Sequence, residues 1–360
     1  LHLALPTQLP PNITAGSGPV NLSIQPMIER PTLTIAYKLG SGSEADDWEL
    51  CLSMRSWRDN FTDADTNFVI IGHRPNWLAD HPLVTHIPHP DPYKHNKDAN
   101  LIQKLIRLSI TPEVSDPFIF CSDDQFLLRH TTFAEIQTPR HLGDLAAEKW
   151  EKKPEATSEN TWQNRLYRTY KELKKRNLPT LNFEGHIPYV IHKKDVARLL
   201  EFNFGEGNGL CIHTLLFNAA GISGEPISSA RIRASLHGAN LSESIIDDKL
   251  FKKGNLFANI GPDSLRCRHL VQSLQALFPN PAPWEAYSPT SPLNLPKFFP
   301  EANPVTWPTG ESARPVPLGL PLSIPEEACF TFSQAIKFFA YSNSIKFFVP
   351  KGTTFTVSAE

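Results

Sequence analysis

One stretch constrains the fold of this chain more than any other. Residues 117–129 read PFIFCSDDQFLLR. An apolar run, Phe118 to Phe120, meets two adjacent carboxylates, Asp123 and Asp124, and a second apolar run, Phe126 to Leu128, follows. Runs this short, bounded by turn formers, read as buried strands. Ionised carboxylates are costly to bury unless they are paired or bound to metal. The carboxyl edge of an open α/β sheet is where such folds bind ligands. The pattern therefore predicts a strand that ends at a ligand edge, with Asp123 and Asp124 on it.

The preceding residues build the sheet to which that strand belongs. Residues 32–38 (TLTIAYK) are β-prone, and LGSGSEADD then leads into a helical pattern through Trp48, Leu50, Cys51, Met54 and Trp57. Gly40 and Gly42 in that loop let the backbone approach a ligand, and the helix start favours an anion. Residues 67–72 (NFVIIG) and 84–87 read as further buried strands. Residues 100–108 read as a helix with Leu101, Leu105 and Leu108 on one face and Lys104 elsewhere. The alternation predicts an α/β protein with a mostly parallel, doubly wound sheet flanked by helices. Four histidines between 81 and 95 suggest zinc, or else a surface loop that turns back over the active edge.

Beyond residue 139 the chain turns polar. Trp162, Leu166, Tyr170 and Leu173 form a helical stripe, with Arg165, Arg168, Lys171 and Lys175 on other faces. This is either a solvated amphipathic helix or a basic face toward a phosphorylated or acidic acceptor. His186 precedes Pro188 at the entry to a short strand, and His213 lies in the apolar run CIHTLLFNAAG. Each is either a functional imidazole or a hydrogen-bonded structural one. LFANI reads as a strand, and Asp263 as the N-cap of a helix carrying Leu265, Leu270, Leu274 and Leu277.

Proline, 33 residues in all, gathers toward the ends and sets the expected boundaries. These are an extended Pro-rich arm over 1–30, a catalytic domain over 31–285, a Pro-rich linker over 286–325 and a β-prone segment over 326–360. Within the last, FFVPKGTTFTVS reads as two strands around a Pro-Lys-Gly turn. The terminal extensions are suited to a homo-oligomer formed by exchange. A net charge of −2 argues against a dedicated nucleic-acid partner. Five scattered cysteines without a CxxC pair argue against a zinc or disulfide framework and suit a reducing, cytoplasmic setting. No apolar run approaches the ~20 residues a membrane span needs.

Five segments carry a resemblance. DDWELCLSMRSW, FVIIGHRPNWL, FIFCSDDQFLL, GHIPYVIHKKDV and LFPNPAPWE are similar, in order and spacing, to segments of the Stealth-type capsule sugar-phosphotransferases and related phage glycosyltransferase-like proteins. The resemblance covers roughly residues 32–285. It implies a GT-A-like fold and a transferase that uses a nucleotide-sugar donor and a carbohydrate or other hydroxyl acceptor. Asp123 and Asp124 would hold Mg²⁺ or Mn²⁺ and the donor diphosphate. Asp124, His186 and Arg55 would be catalytic, His186 as a general base or a phosphate contact and Arg55 by contacting phosphate or fixing the carboxylates. Arg74 and Asn76 would line the donor mouth, and Lys104 would supply a cation from the helix before the acid strand. From the residues alone rather than from the resemblance, Gly40, Gly42 and His213 are further candidates for substrate binding. The chain departs from the family pattern at AYKLGSGSEAD, where an aspartate-bearing segment is usual, and at Ser122 and Gln125. The alternative class is a non-catalytic structural or carbohydrate-binding protein, of a virus particle for instance, that retains the fold.

Overall fold

The computed structural model describes residues 32–299, apart from 44, 154–157, 159–160, 208, 230–231 and 296, together with four strands between 327 and 358. The expected 1–30 arm and residues 300–325 of the expected linker lie outside the described residues.

The first five regular elements alternate as the sequence predicts. They are β1 (Thr32–Leu39), α1 (Trp48–Asn60), β2 (Asp65–Gly72), β3 (Val84–Pro88) and α2 (Lys97–Ser109). β4 (Phe118–Cys121) follows, and β5 (Gln125–Leu127) comes directly after the acid pair. Then come α3 (Trp162–Lys175), β6 (Tyr189–Ile191), α4 (Ile212–Ala219), β7 (Arg233–Leu236), β8 (Phe257–Ile260) and α5 (Arg268–Leu277). The central sheet has the order β3-β2-β1-β4-β6. Its first four strands are parallel, and β6 is antiparallel to β4. This is a mixed α/β fold with a mostly parallel sheet and flanking helices. β1, at its centre, is buried almost without interruption, as expected for a strand covered on both faces.

β5 does not continue the central sheet. It pairs antiparallel with β8 in a three-stranded sheet of order β5-β8-β7. Two cores result, and α1 stands between them. Leu50, Cys51, Met54 and Trp57 pack into the main core, while Trp48 and Leu52 join Phe126, Leu236, Leu270 and Phe278 in the second.

One expectation is corrected here. Asp263 does not cap a helix; it lies inside a 3-10 turn over Pro262–Arg266, and the α-helix starts at Arg268. Beyond the expected boundary at 285, Phe298 is buried in the second core. The last strands are β9 (Glu327–Thr331), β10 (Ile336–Phe339), β11 (Lys346–Val349) and β12 (Thr354–Ser358), and β11 and β12 are the two strands expected on either side of Pro-Lys-Gly. β11 pairs with β10, and β12 pairs with β9. Among the described residues, no helix is long and apolar enough to cross a membrane.

Candidate active site

The acid pair sits where β4 and β5 part company. Pairing of Tyr37 with Cys121 brings Lys38 level with the end of β4. There its Nζ donates to Ser122 Oγ at 2.7 Å and lies 4.5 Å over the Phe120 ring. The turn between the two strands is stitched by Gln125. Its side-chain Oε1 accepts from Ser122 N at 3.0 Å, and its own N donates to Ser122 O at 3.3 Å. Ser53 Oγ, on α1, donates to Gln125 O. From the second sheet, Asn259 Nδ2 donates to Asp124 Oδ2 at 2.9 Å, and Ile260 N donates to Asp124 O at 3.2 Å. Ser122 and Gln125, where the chain departs from the family pattern, thus form the frame that holds the two aspartates.

Asp123 and Asp124 line a cavity of about 550 Å³. Both remain partly open to it. Burial raises the Asp124 carboxyl to about 7, with Asp123 pushing the same way and Lys38, a backbone N–H and Asn259 opposing. Burial likewise raises Asp123, against the pull of Lys38 and Lys97. Glu49, in the first turn of α1, lines the same cavity and is raised to about 7 by burial. Among the described residues its Oε2 has no hydrogen-bond partner, nor has Oδ1 of neighbouring Asp47. Lys38 is the cation in closest register with the pair, and burial lowers its own pKa against the pull of Asp124 and Asp123. The acid wall of this cavity is therefore short of positive charge.

Other walls supply cations and rings. Lys97, exposed at the start of α2, faces the cavity with Lys104 and Arg165. Lys104 is buried; its Nζ donates to Leu39 O at 2.8 Å and pairs with Asp91 at 2.7 Å. Asp91 belongs to the His/Pro-rich loop, which turns back over the edge of the sheet as one of its two readings expects. On β3, His86 Nε2 bonds Gly72 O, and in the loop His89 Nδ1 bonds Pro90 O. Among the described residues, no group of three or more His, Cys, Asp or Glu could hold a metal by itself.

Of the residues singled out by sequence, Asp123, Asp124, Gly40, Gly42, Lys104, His186 and His213 come together on the lining. A Cβ at Gly42 would meet nothing within 4 Å, and at Gly40 only Asp91 Oδ2 at 3.9 Å. No backbone crowding requires glycine at either position. His186 sits at the rim with φ 50°. Its ring lies 5.9 Å from Trp162 and 6.3 Å from His237. Enclosure by these neighbours pushes its imidazole down, against the pull of Glu184, while the residue itself stays solvent-exposed.

Arg55, Arg74 and Asn76 do not line the cavity, which corrects their expected placement. Arg55 forks onto Glu285, with Nε to Oε1 at 2.8 Å and Nη2 to Oε2 at 2.5 Å, and its Nη1 donates to Phe278 O at 3.0 Å. That planar fork suits a carboxylate as well as it suits phosphate. Arg74 pairs with exposed Asp80, and Asn76 is exposed. Nearby, Trp77 Nε1 donates to Asp46 O, Ala79 N to Trp284 O, and Ala286 N to Trp77 O. Three of the five resembling segments therefore meet as scaffold behind the site.

Sequence reasoning missed Lys38, Glu49, Glu184 and Asn259. Lys38 left a signal, a lone cation near the end of an otherwise apolar strand. Glu49 left a weaker one, an acid in a first helical turn. Asn259 inside FANI and Glu184 before GHIP left none.

No protein-family model matches the chain, and no curated protein matches it. Among solved structures it is similar to apo WbbM, a bifunctional glycosyltransferase, at 10% identity over 66% of this chain, with a TM-score of 0.39. The match spans 46% of that protein's length. It is also similar to an active-site mutant of LgtC, at 10% identity over 68% of this chain and 95% of the other, with a TM-score of 0.37. A third similarity is to the galactosyltransferase LgtC in complex with donor and acceptor sugar analogues, at 10% identity, 69% and 96% coverage and a TM-score of 0.38.

Proposed function

We propose that the chain is a GT-A-like transferase. It moves a sugar or a sugar-1-phosphate from a nucleotide-activated donor to a hydroxyl of a carbohydrate or other acceptor. The observation that carries the reading is the placement of Asp123 and Asp124, raised in pKa, at the carboxyl end of β4 in a cavity whose other walls carry Lys97, Lys104 and Arg165.

The site's chemistry fits a hard divalent cation. Its donors are carboxylate oxygens, Glu49 Oε2 is an unpartnered acceptor beside them, and all three carboxyls are raised. Mg²⁺ is typically held by one or two carboxylates together with water and substrate phosphates, so a two-aspartate set is enough. Asp123 and Asp124 would hold Mg²⁺ or Mn²⁺, which when bound supplies charge to a leaving phosphate.

The chain's own residues do the rest. Asn259 and Gln125 fix the orientation of the acid turn. Lys97, exposed on the cavity wall, meets donor phosphate oxygens. Lys38 offsets the charge of the pair from below. His186 and Trp162 contact substrate at the rim.

Asp123→Asn and Asp124→Asn test the reading. Each variant is expected to keep the wild-type melting temperature within a few degrees and to lose donor turnover by about 10²-fold or more. Release of nucleotide from a panel of nucleotide sugars is the assay. Wild-type turnover in both variants would overturn the assignment. Release of nucleoside diphosphate means that the sugar moved; release of monophosphate means that the sugar phosphate moved.

A further inference from the structure

On the wall beside Phe120, a second pair of side chains is built for proton transfer. Glu184 and His213 are both buried. His213 Nδ1 lies 3.2 Å from Glu184 Oε2, and Glu184 Oε1 accepts from Thr214 N at 3.0 Å, in the first turn of α4. The imidazole is packed against Tyr189, ring centroids 4.7 Å apart, and against Phe120 at 6.0 Å. Its ring is therefore held on three sides. The remaining nitrogen, Nε2, is buried and has no hydrogen-bond partner among the described residues, and His213 lines the cavity.

A carboxylate beside Nδ1 selects the tautomer protonated at Nδ1, which leaves a lone pair on Nε2. A buried acceptor without a partner costs free energy that a hydroxyl donating into it restores. The state of charge agrees. Burial and Lys38 push the imidazole down while Glu184 pulls it up, and the net shift is downward. Burial would raise Glu184, but His213, the Thr214 N–H and His186 outweigh it and hold the carboxyl below its usual range.

Building on the transferase reading, we propose that His213 Nε2 is the general base that takes the proton of the acceptor hydroxyl, with Glu184 as its positioning residue. The acceptor O–H bond breaks and its proton passes to Nε2. The acceptor oxygen forms the new bond to the anomeric carbon or the phosphorus of the donor. The bond to the leaving nucleotide breaks, its electron pair staying on the nucleotide phosphate oxygen. Glu184 stabilises the imidazolium until it returns the proton to water. His186, at the rim, is left with substrate contact rather than proton transfer.

The test uses the full chain with Mn²⁺ and a panel of UDP-, GDP-, ADP- and CMP-activated sugars, with glycerol and monosaccharides as acceptors. His213→Gln is expected to keep the wild-type donor-induced thermal shift and to lose kcat for transfer by about 10²–10⁴-fold. Should His213→Gln melt well below wild type, Glu184→Gln carries the test, because it keeps an oxygen for the Thr214 N–H. It is expected to lower kcat with KM unchanged, and Glu184→Asp to restore part of the loss. Long-range ¹H–¹⁵N spectra of the wild type are expected to show His213 protonated at Nδ1 only, and Glu184→Gln to mix the two tautomers. Wild-type kcat in His213→Gln, or an Nε2-protonated ring in the wild type, would overturn the assignment alone. A wild-type chain that binds none of the donors would overturn the transferase reading and this step with it.

Discussion

Asp124 and Glu49 show what the site costs the fold. Glu49 is raised by burial from its ordinary value of 4.5 to about 7. Between those values the native chain holds a proton that the unfolded chain has lost. Stability therefore falls as pH rises through that window, and the full cost remains above it. Glu49→Gln removes the cost. The variant is expected to match wild type near pH 4 and to exceed it at pH 8 by on the order of 1–3 kcal/mol. Urea denaturation at the two pH values measures this, and an equal difference at both would contradict it. The acid pair itself was legible because adjacent aspartates between two apolar runs are a local signal. Glu184 and Asn259 were not, since their roles come from Thr214, His213 and Asp124, which lie far from them in sequence or on another strand.

At the scale of elements, α1 ties the molecule together through Arg55. The sequence placed this arginine correctly on a helix and assigned it to the donor. Its partner, Glu285, lies 230 residues further on, and no local pattern announces such a contact. Both side chains of the pair are nearly inaccessible, at 6% and 1% exposure. Removing one partner of a buried pair strands the other, at about 3–5 kcal/mol. Arg55→Ala is expected to lose that much stability in chemical denaturation, and donor affinity of the folded fraction is expected to stay near wild type. A variant of wild-type stability that fails to bind donor would return Arg55 to the site. The strands of the central sheet were legible for the opposite reason. Buried parallel strands are continuous apolar runs, so β1, β2 and β4 announce themselves. β5 did not announce that it leaves for another sheet, because three residues beside a turn fit either partner.

Across the whole molecule, the domain closes with residues that composition assigned to a linker. Leu293 and Leu295 pack beside Phe298 on the second core, and Phe298 also lines the cavity. A proline-rich stretch without periodicity reads as linker, yet proline does not prevent isolated apolar side chains from docking. Phe298→Ala is expected to cost about 3 kcal/mol by leaving a cavity under the second sheet. Chemical denaturation checks it, and a loss below about 0.5 kcal/mol would detach this segment from the core. The two strands around Pro-Lys-Gly were legible in the sequence, but their partners were not. A turn signal between β11 and β12 was visible, but pairing with β10 and β9 depends on residues further back in the chain.

On the proposed reading, the two-core arrangement holds Asp123 and Asp124 at a donor site that uses a divalent cation. Thermal shift of the full chain with a panel of nucleotide sugars, with and without Mn²⁺, tests it most directly, since ligand binding to the native state raises apparent stability by mass action. The account predicts stabilisation by one nucleotide class that requires Mn²⁺ and disappears in Asp124→Asn. No response to any donor, or the same response in Asp124→Asn, would contradict it.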